Sequence, residues 1–353
     1  MSFNLKYLND YFSFGFIPSP YTFFKHIKKL EPGHFLRISK NKFFIQKYWE
    51  ISIDSEQAVD INYQEAKENL KSIITSTVNK EMVSDVSIGA FLSGGLDSSI
   101  ITYEMSKSTK SKINTYTITF EKSRNDHDKF FSRYISQKLG TNHTESKLDL
   151  MNTDINGIIS RLDEPFAITS LIPVYHNSLI ASKSVKVVLS GDGADEVFGG
   201  YSRHGKLKFL LALKNSKTLK KEFIDILNNK VSSNIPYRKL RKGFSQYIVY
   251  NLRLFEDNSL ISKYLELFEN TNIATKRMMF LREVYDNFES LIYETKYADF
   301  ITRDTNNGND FLLFDIKTTL VDEMLRKIDV ASMLNSVEVR VPFLNQSILN
   351  FAF

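Results

Sequence analysis

The stretch Ala90–Ile100, AFLSGGLDSSI, gathers residue types that hold an anion. Gly94 and Gly95 let the backbone turn tightly and approach a ligand with no Cβ in the way. Ser93, Ser98 and Ser99 add hydroxyl donors, and a helix starting here offers free N–H groups and the positive end of its dipole. The spacing is neither G-x-x-x-x-G-K-S/T nor G-x-G-x-x-G, which excludes the usual ATPase and dinucleotide loops. The expected anion is a phosphate group. Asp97 would repel phosphate unless a cation stood between them, so a Mg²⁺ bridging its carboxylate and the phosphates is the natural reading. An ordinary Ser/Gly turn with a helix-capping Asp is the alternative.

A second stretch, SGDGADEVFGGY (Ser190–Tyr201), sets Asp192, Asp195 and Glu196 among glycines. Acids in such a loop hold a metal, bind a cationic group or move protons. Asp195 reads as a second Mg²⁺ ligand opposite Asp97, and Asp192 as a group that orients or deprotonates an attacking amine. The plainer alternative is a solvent-exposed Asp/Gly loop. A third stretch, Asp315–Asn345, contains Lys327, which taken alone reads as a solvated helix lysine.

These groups need strands that end together. The apolar run Val86–Leu92 reads as a buried strand feeding the first loop, and Ser98–Met105 as the helix after it. Ala66, Leu70, Ile73, Ile74 and Thr77 predict a helix within Asn62–Val83. Lys112–Phe120 and His143–Leu148 read as strands on either side of a helix at Asp126–Leu139. A helix near Ile172–Ser182 precedes the strand Val185–Leu189, which runs into the second loop. Strands alternating with helices imply a parallel, doubly wound α/β sheet with its ligand beyond the carboxyl ends of the strands. Upstream, His34–Ile38 and Phe43–Tyr48 read as a hairpin, with Phe23–Leu30 as a helical turn packed on it. Leu320–Leu334 has helical spacing and Val337–Val341 is extended. The region 204–300 reads as helical, with Lys206–Lys221 a solvated face.

Composition narrows the partners. The 353 residues carry a net charge of only +5, spread along the chain, so no nucleic-acid surface is implied. No run approaches a membrane span and the first residues lack a signal-peptide pattern, so the expected location is cytoplasmic. The absence of cysteine excludes, for these residues, disulfides, thiolate metal sites and a cysteine nucleophile.

SGGLDSS resembles the pyrophosphate loop of ATP pyrophosphatases, which cleave ATP to AMP and pyrophosphate. Together with LSGDGADEVFGGY and KID-x-x-S-M-x-x-S-V-E-V-R-V-P-F-L-N, in that order, it resembles the asparagine synthetase (glutamine-hydrolysing) family. The opening FGFIPSP and the later L-E-P-G-H and Y-W resemble the end of that family's N-terminal glutaminase domain. The resemblance implies a sheet of the adenine-nucleotide alpha-hydrolase (pyrophosphate-loop) type, with a short N-terminal β remnant and a helical C-terminal part. It implies β-aspartyl-AMP made from aspartate and ATP·Mg²⁺, then attack by ammonia to give asparagine and AMP. Leu92 and Ile118 match backbone contacts to adenosine, and Ser190 and Gly191 a further nucleotide contact. Ser93, Gly94, Gly95, Asp97, Ser98 and Ser99 match the positions holding pyrophosphate and Mg²⁺, with Asp195 the second metal ligand. Lys327 matches a lysine that steadies the phosphates and developing charge. Glu196, Asp329, Glu338 and Arg340 match positions that line or brace the pocket, Arg340 equally serving as a structural ion pair.

The departures shape the expected domains. Family glutaminase domains begin with a catalytic cysteine, which this sequence lacks. Residues 1–55 are therefore expected to be a remnant of the glutamine amidotransferase domain, and 62–353 the synthetase domain, truncated at its C-terminus. Ammonia, a separate glutaminase subunit and a homodimer are the implied partners. Asp192 stands where many asparagine synthetases carry Glu, which leaves a different carboxylate open as substrate. A nucleotide-binding fragment or subunit without turnover is the competing reading from outside the enzyme class.

Overall fold

The computed structural model describes residues 2–40, 42–51, 61–120, 127–205, 264–265, 269–271, 273–286, 288, 291–297 and 308–353. These fall into two compact units, one made of Met1–Phe3, Pro18–Gly200 and Leu312–Phe353, the other of Asn4–Ile17 and Tyr201–Phe311. In chain order the described elements begin with α1 (Leu8–Phe14), β1 (His34–Ser39), β2 (Lys42–Lys47) and α2 (Tyr63–Glu81). Then follow β3 (Ile88–Phe91), α3 (Leu96–Ser108), β4 (Asn114–Phe120), α4 (His127–Leu139), β5 (Asn142–Leu148) and α5 (Ile155–Ile159). Next come α6 (Leu171–Ala181), β6 (Val187–Leu189), α7 (Ala194–Phe198), α8 (Ile273–Met279), α9 (Arg282–Tyr285) and α10 (Ile292–Lys296). The last are α11 (Gly308–Asp315), a π-helical stretch Ile316–Leu325, α12 (Arg326–Met333), β7 (Glu338–Arg340) and α13 (Gln346–Ala352). Among the described residues no helix is long and apolar enough to cross a membrane.

The first unit is the expected α/β body. Its five-stranded sheet has the order β5-β4-β3-β6-β7, and every neighbouring pair is parallel. The chain winds outward from β3 through β4 to β5, then returns to place β6 on the other side of β3. The strand order therefore reverses between β3 and β6, where open α/β sheets leave a crevice at their carboxyl ends. Ala90, Leu92, Val188 and Leu189 are fully buried, as strands covered on both faces require. On one face α6 seals the sheet, with Tyr116, Ala181, Val185, Val188 and Val337 as a core and Phe91, Ile180 and Val339 packed against it. Elsewhere α2 packs on α3 and buries Val78, Ile101 and Met105. The start of α2 is set locally, because the Asn62 side chain accepts from the Glu65 N–H at 3.0 Å.

The hairpin forms as expected, with His34 opposite Lys47 through to Ser39 opposite Lys42. Phe23–Leu30 is not a helical turn. Its backbone is held from outside the segment, by a bridge from Phe24 to Phe3 and by Phe23 N–H donating to the Glu164 carboxylate at 3.0 Å. Just upstream, Ser19 donates from its N–H (3.1 Å) and hydroxyl (2.6 Å) to Asp322. These partners lie far along the chain, and they override the local periodicity.

The helix expected over Leu320–Leu334 is one continuous run with two geometries, π over Ile316–Leu325 and α from Arg326. Thr318 and Thr319 turn their hydroxyls back to the carbonyls of Phe314 (2.6 Å) and Asp315 (3.3 Å), which competes with the α ladder here. The lysine-rich run Lys206–Lys221 lies outside the described residues.

In the second unit, Asp10 is buried and accepts from the Ile292 N–H at 2.8 Å, capping the start of α10. Lys276 is buried with it and donates to Asn9 at 2.8 Å and, by a short bond, to Ser13. Burial raises Asp10 from 3.8 to about 7, against the Ile292 hydrogen bond and the charge of Lys276.

Candidate functional site

A cavity of about 470 Å³ opens at the carboxyl ends of β3, β4 and β6, at the point where the strand order reverses. Its lining mixes two chemistries. Phe91, Leu92, Tyr116, Ile118, Pro173 and Val174 are apolar or aromatic. Ser93, Gly95, Asp97, Ser98, Ser190, Asp192 and Asp195 supply polar and acidic groups.

The Gly/Ser loop is built by the turn from β3 into α3. Gly94 sits at φ +82, and a Cβ there would lie 2.5 Å from Ser132 N, so both conformation and space demand glycine. Gly95 is the N-cap of α3 and has no side chain to take the first-turn N–H groups, which leaves them for a ligand. The serines tie the loop together. Ser93 Oγ and Ser98 Oγ are 3.0 Å apart, and Ser99 donates to the Gly95 carbonyl at 2.7 Å.

The second loop meets the first at Gly191. A Cβ on Gly191 would stand 2.6 Å from Ser98 N and 2.8 Å from the Asp97 carbonyl carbon, so the two loops touch backbone to backbone. The Ser190 hydroxyl donates to Asp192 through a short bond. Asp97 is half-buried, and burial raises its pKa, with the charges of Asp195 and Asp192 adding to the rise. Three carboxylates thus share one cavity and repel one another. That is a setting for a divalent cation, though no group of three or more metal-binding side chains stands together among the described residues. Mg²⁺ commonly takes only one or two carboxylates from the protein and the rest of its shell from phosphates and water, so Asp97 and Asp195 suit it.

The structure brings Leu92, Ser93, Gly95, Asp97, Ser98, Ile118, Ser190, Gly191, Asp192 and Asp195 onto one cavity surface. Gly94 and Ser99 shape the loop without lining it. Glu196 is buried on the first turn of α7 and does not line the cavity. Glu338 is exposed and pairs with Arg340 at 2.7 Å. Arg340 also donates to the carbonyls of Glu81 (2.6 Å) and Val83 (2.7 Å), so it braces β7 to the end of α2 rather than lining the cavity. Asp329 is exposed on α12. Lys327 is 5% exposed, which rules out the solvated-lysine alternative. It does not line the cavity, and its hydrogen-bond acceptor is the Met324 sulfur at 3.6 Å. Part of the lining carried no motif in the sequence: α6 contributes Pro173, Val174 and Asn177, with Ser170 just before it, while Thr117 and Asp128 come from β4 and α4. The signal was positional, since the helix entering the strand beside a reversal point must flank the crevice.

Residues 69–353 match the asparagine synthase family model. The chain belongs to the asparagine synthase family. A putative glutamine-hydrolysing asparagine synthetase 2 of Methanocaldococcus jannaschii is 33% identical over 349 residues, covering 94% of this chain and 62% of that protein. The glutamine-hydrolysing asparagine synthetase 1 of Bacillus subtilis is 28% identical over 357 residues, covering 98% of this chain and 52% of its own length. The chain thus spans between half and two thirds of the length of these curated relatives. Among solved structures, a tRNA thiolase of Methanococcus maripaludis aligns with a TM-score of 0.30 and 16% identity, over 65% of this chain and 96% of its own.

Proposed function

We propose that this asparagine synthase family member is an ATP-dependent, AMP-forming ligase. It would activate aspartate as β-aspartyl-AMP and pass the acyl group to ammonia, giving asparagine, AMP and pyrophosphate. One observation carries the reading: a single cavity at the strand-order reversal joins the Gly/Ser loop to the Asp/Gly loop. Ser93, Gly95 and Ser98, with the first-turn N–H groups of α3, would receive the pyrophosphate end of ATP. Leu92 and Ile118 would flank the nucleoside, and Ser190 and Gly191 its α-phosphate side. Asp97 and Asp195 would hold Mg²⁺, which when bound offsets phosphate charge.

In the first half-reaction a carboxylate oxygen of aspartate attacks the α-phosphorus, and the bond from that phosphorus to pyrophosphate breaks. Ammonia then attacks the acyl carbon, the C–O bond to AMP breaks, and the new amide nitrogen loses a proton. Asp192, on the cavity wall beside Ser190, is the carboxylate suited to take it. Lys327, buried and off the cavity wall in this structure, would have to turn toward the phosphates to steady the negative charge as the family resemblance implies. On this reading residues 1–55 are the tail of a glutamine amidotransferase domain and 62–353 form the synthetase domain. These residues contain no cysteine, so they would take ammonia and hold no thiol of their own to hydrolyse glutamine.

The test is pyrophosphate release by the purified chain with ATP, Mg²⁺ and aspartate, with and without ammonium or glutamine. Aspartate-dependent release that ammonium sustains, and that Asp97→Ala abolishes, is expected. Release that ignores aspartate would assign the chain another carboxylate. No release from a folded chain would overturn the ligase reading.

A further inference from the structure

Lys327 is buried, and among the described residues the one hydrogen-bond acceptor for its ammonium is the Met324 sulfur at 3.6 Å. Two acids of the same helical run give it nothing, since Asp322 accepts from Ser19 and Asp329 is exposed. The neighbouring Arg326, by contrast, has the Glu164 carboxylate at 2.7 Å. A thioether is a weak acceptor, and a buried cation matched only to sulfur keeps most of its desolvation cost. The lysine stands in the first turn of α12, directly after the π-helical stretch that contains Met324. That stretch packs on α7, which carries Asp195, and α12 packs on α6, which carries Pro173 and Val174. Asp195, Pro173 and Val174 all line the cavity. The flexible four-carbon stem of Lys327 therefore starts between elements that border the cavity, while its ammonium is held on the sulfur.

We propose that Met324 is a positioning residue that parks Lys327, its sulfur holding the ammonium weakly enough to be given up to the phosphates during the reaction. This rests on the ligase reading above and deepens it. A stronger acceptor at position 324 would satisfy the ammonium where it lies. That bond would then have to break before Lys327 could meet the charge of the transition state, so the added stability would raise the barrier. An acceptor as weak as a thioether avoids this.

The test compares Met324→Gln, of similar length but with a carbonyl acceptor, and Met324→Leu, which has none. Both are measured in the full chain by steady-state pyrophosphate release and by thermal melts. Met324→Gln should raise Tm by about 2–4 °C and lower kcat roughly 10-fold with KM unmoved. Met324→Leu should move kcat the other way, upward by no more than about threefold. A protein at once more stable and slower is the signature, because damaged packing would lower both together. In a Lys327→Met background Met324→Gln should lose both effects, as two residues acting through one contact require. Effects that persist without Lys327, or equal losses of kcat in the two Met324 variants, overturn the inference. Should Met324→Gln fail to fold, a kcat below wild type in Met324→Leu overturns it alone. If wild type releases pyrophosphate and Met324→Gln is as fast, only the parking role falls. If wild type releases none, the ligase reading falls and the parking role with it.

Discussion

Gly191→Ala tests whether the close approach of the two loops is what makes the site. The added Cβ would lie 2.6 Å from Ser98 N, 2.8 Å from the Asp97 carbonyl carbon and 3.0 Å from Asp97 Cβ. Ordinary van der Waals contact begins near 3.4 Å, so the loops must part by about 0.8 Å, the difference between 3.4 and 2.6. Two of the three contacts are backbone atoms, and no rotamer change can relieve them. Overpacking of this kind costs about 1–3 kcal/mol, a fall of a few degrees in Tm for a chain of this size. The functional cost should be larger. The displaced backbone carries Asp97 and Ser98 on one side and Ser190 and Asp192 on the other, and a misplacement near 1 Å costs on the order of 100-fold in rate. The assay is kcat/KM for pyrophosphate release beside a thermal melt. Gly205→Ala is the control, because a Cβ there meets nothing within 4 Å among the described residues. A Gly191→Ala protein with kcat/KM within about threefold of wild type, at unchanged Tm, would refute the reasoning.

Two further perturbations probe the scaffold. Glu164 is buried and holds Lys29 at 2.9 Å and Arg326 at 2.7 Å, so Glu164→Gln leaves two cations facing each other. It should cost about 3 kcal/mol, the low end for a broken buried pair because both cations keep some exposure, and chemical denaturation reads it; a loss under about 1 kcal/mol would contradict the clamp. Asp10 makes stability depend on pH, because its folded carboxyl keeps its proton up to about pH 7 while an unfolded one releases it near 3.8. Its contribution is therefore complete below pH 4 and is lost as pH rises through 7, on the order of 4 kcal/mol in all. Asp10→Asn should flatten that slope in denaturation curves between pH 5 and 8, and an unchanged slope would show that Asp10 does not titrate there.

Much of the fold was legible because its signals are local. The apolar strand before Ser93, the glycine turn and the helix after it are set by neighbouring residues, and they appear as β3, the loop and α3. What was not legible depends on contacts across the sequence. Phe23–Leu30 reads as a helical turn, yet contacts to Glu164 and Phe3 hold it in a non-helical course. Lys327 carries the charge of a surface residue, and only tertiary packing buries it. Asn177 is hidden for the opposite reason: the apolar run around it reads as core, and nothing local marks its helix as a cavity wall. Arg340 could be read as pocket or brace, and the carbonyls of Glu81 and Val83 decide for the brace.

A carboxylate activated as an acyl-adenylate in the cavity between the two loops would leave one of its oxygens on AMP. Aspartate labelled with ¹⁸O in its side-chain carboxylate tests it most directly, in a turnover with ATP, Mg²⁺ and ammonium followed by mass spectrometry of the products. One ¹⁸O is expected in the phosphate of AMP and none in pyrophosphate. Label appearing in inorganic phosphate with ADP as the nucleotide product would mean an acyl phosphate, and would contradict it.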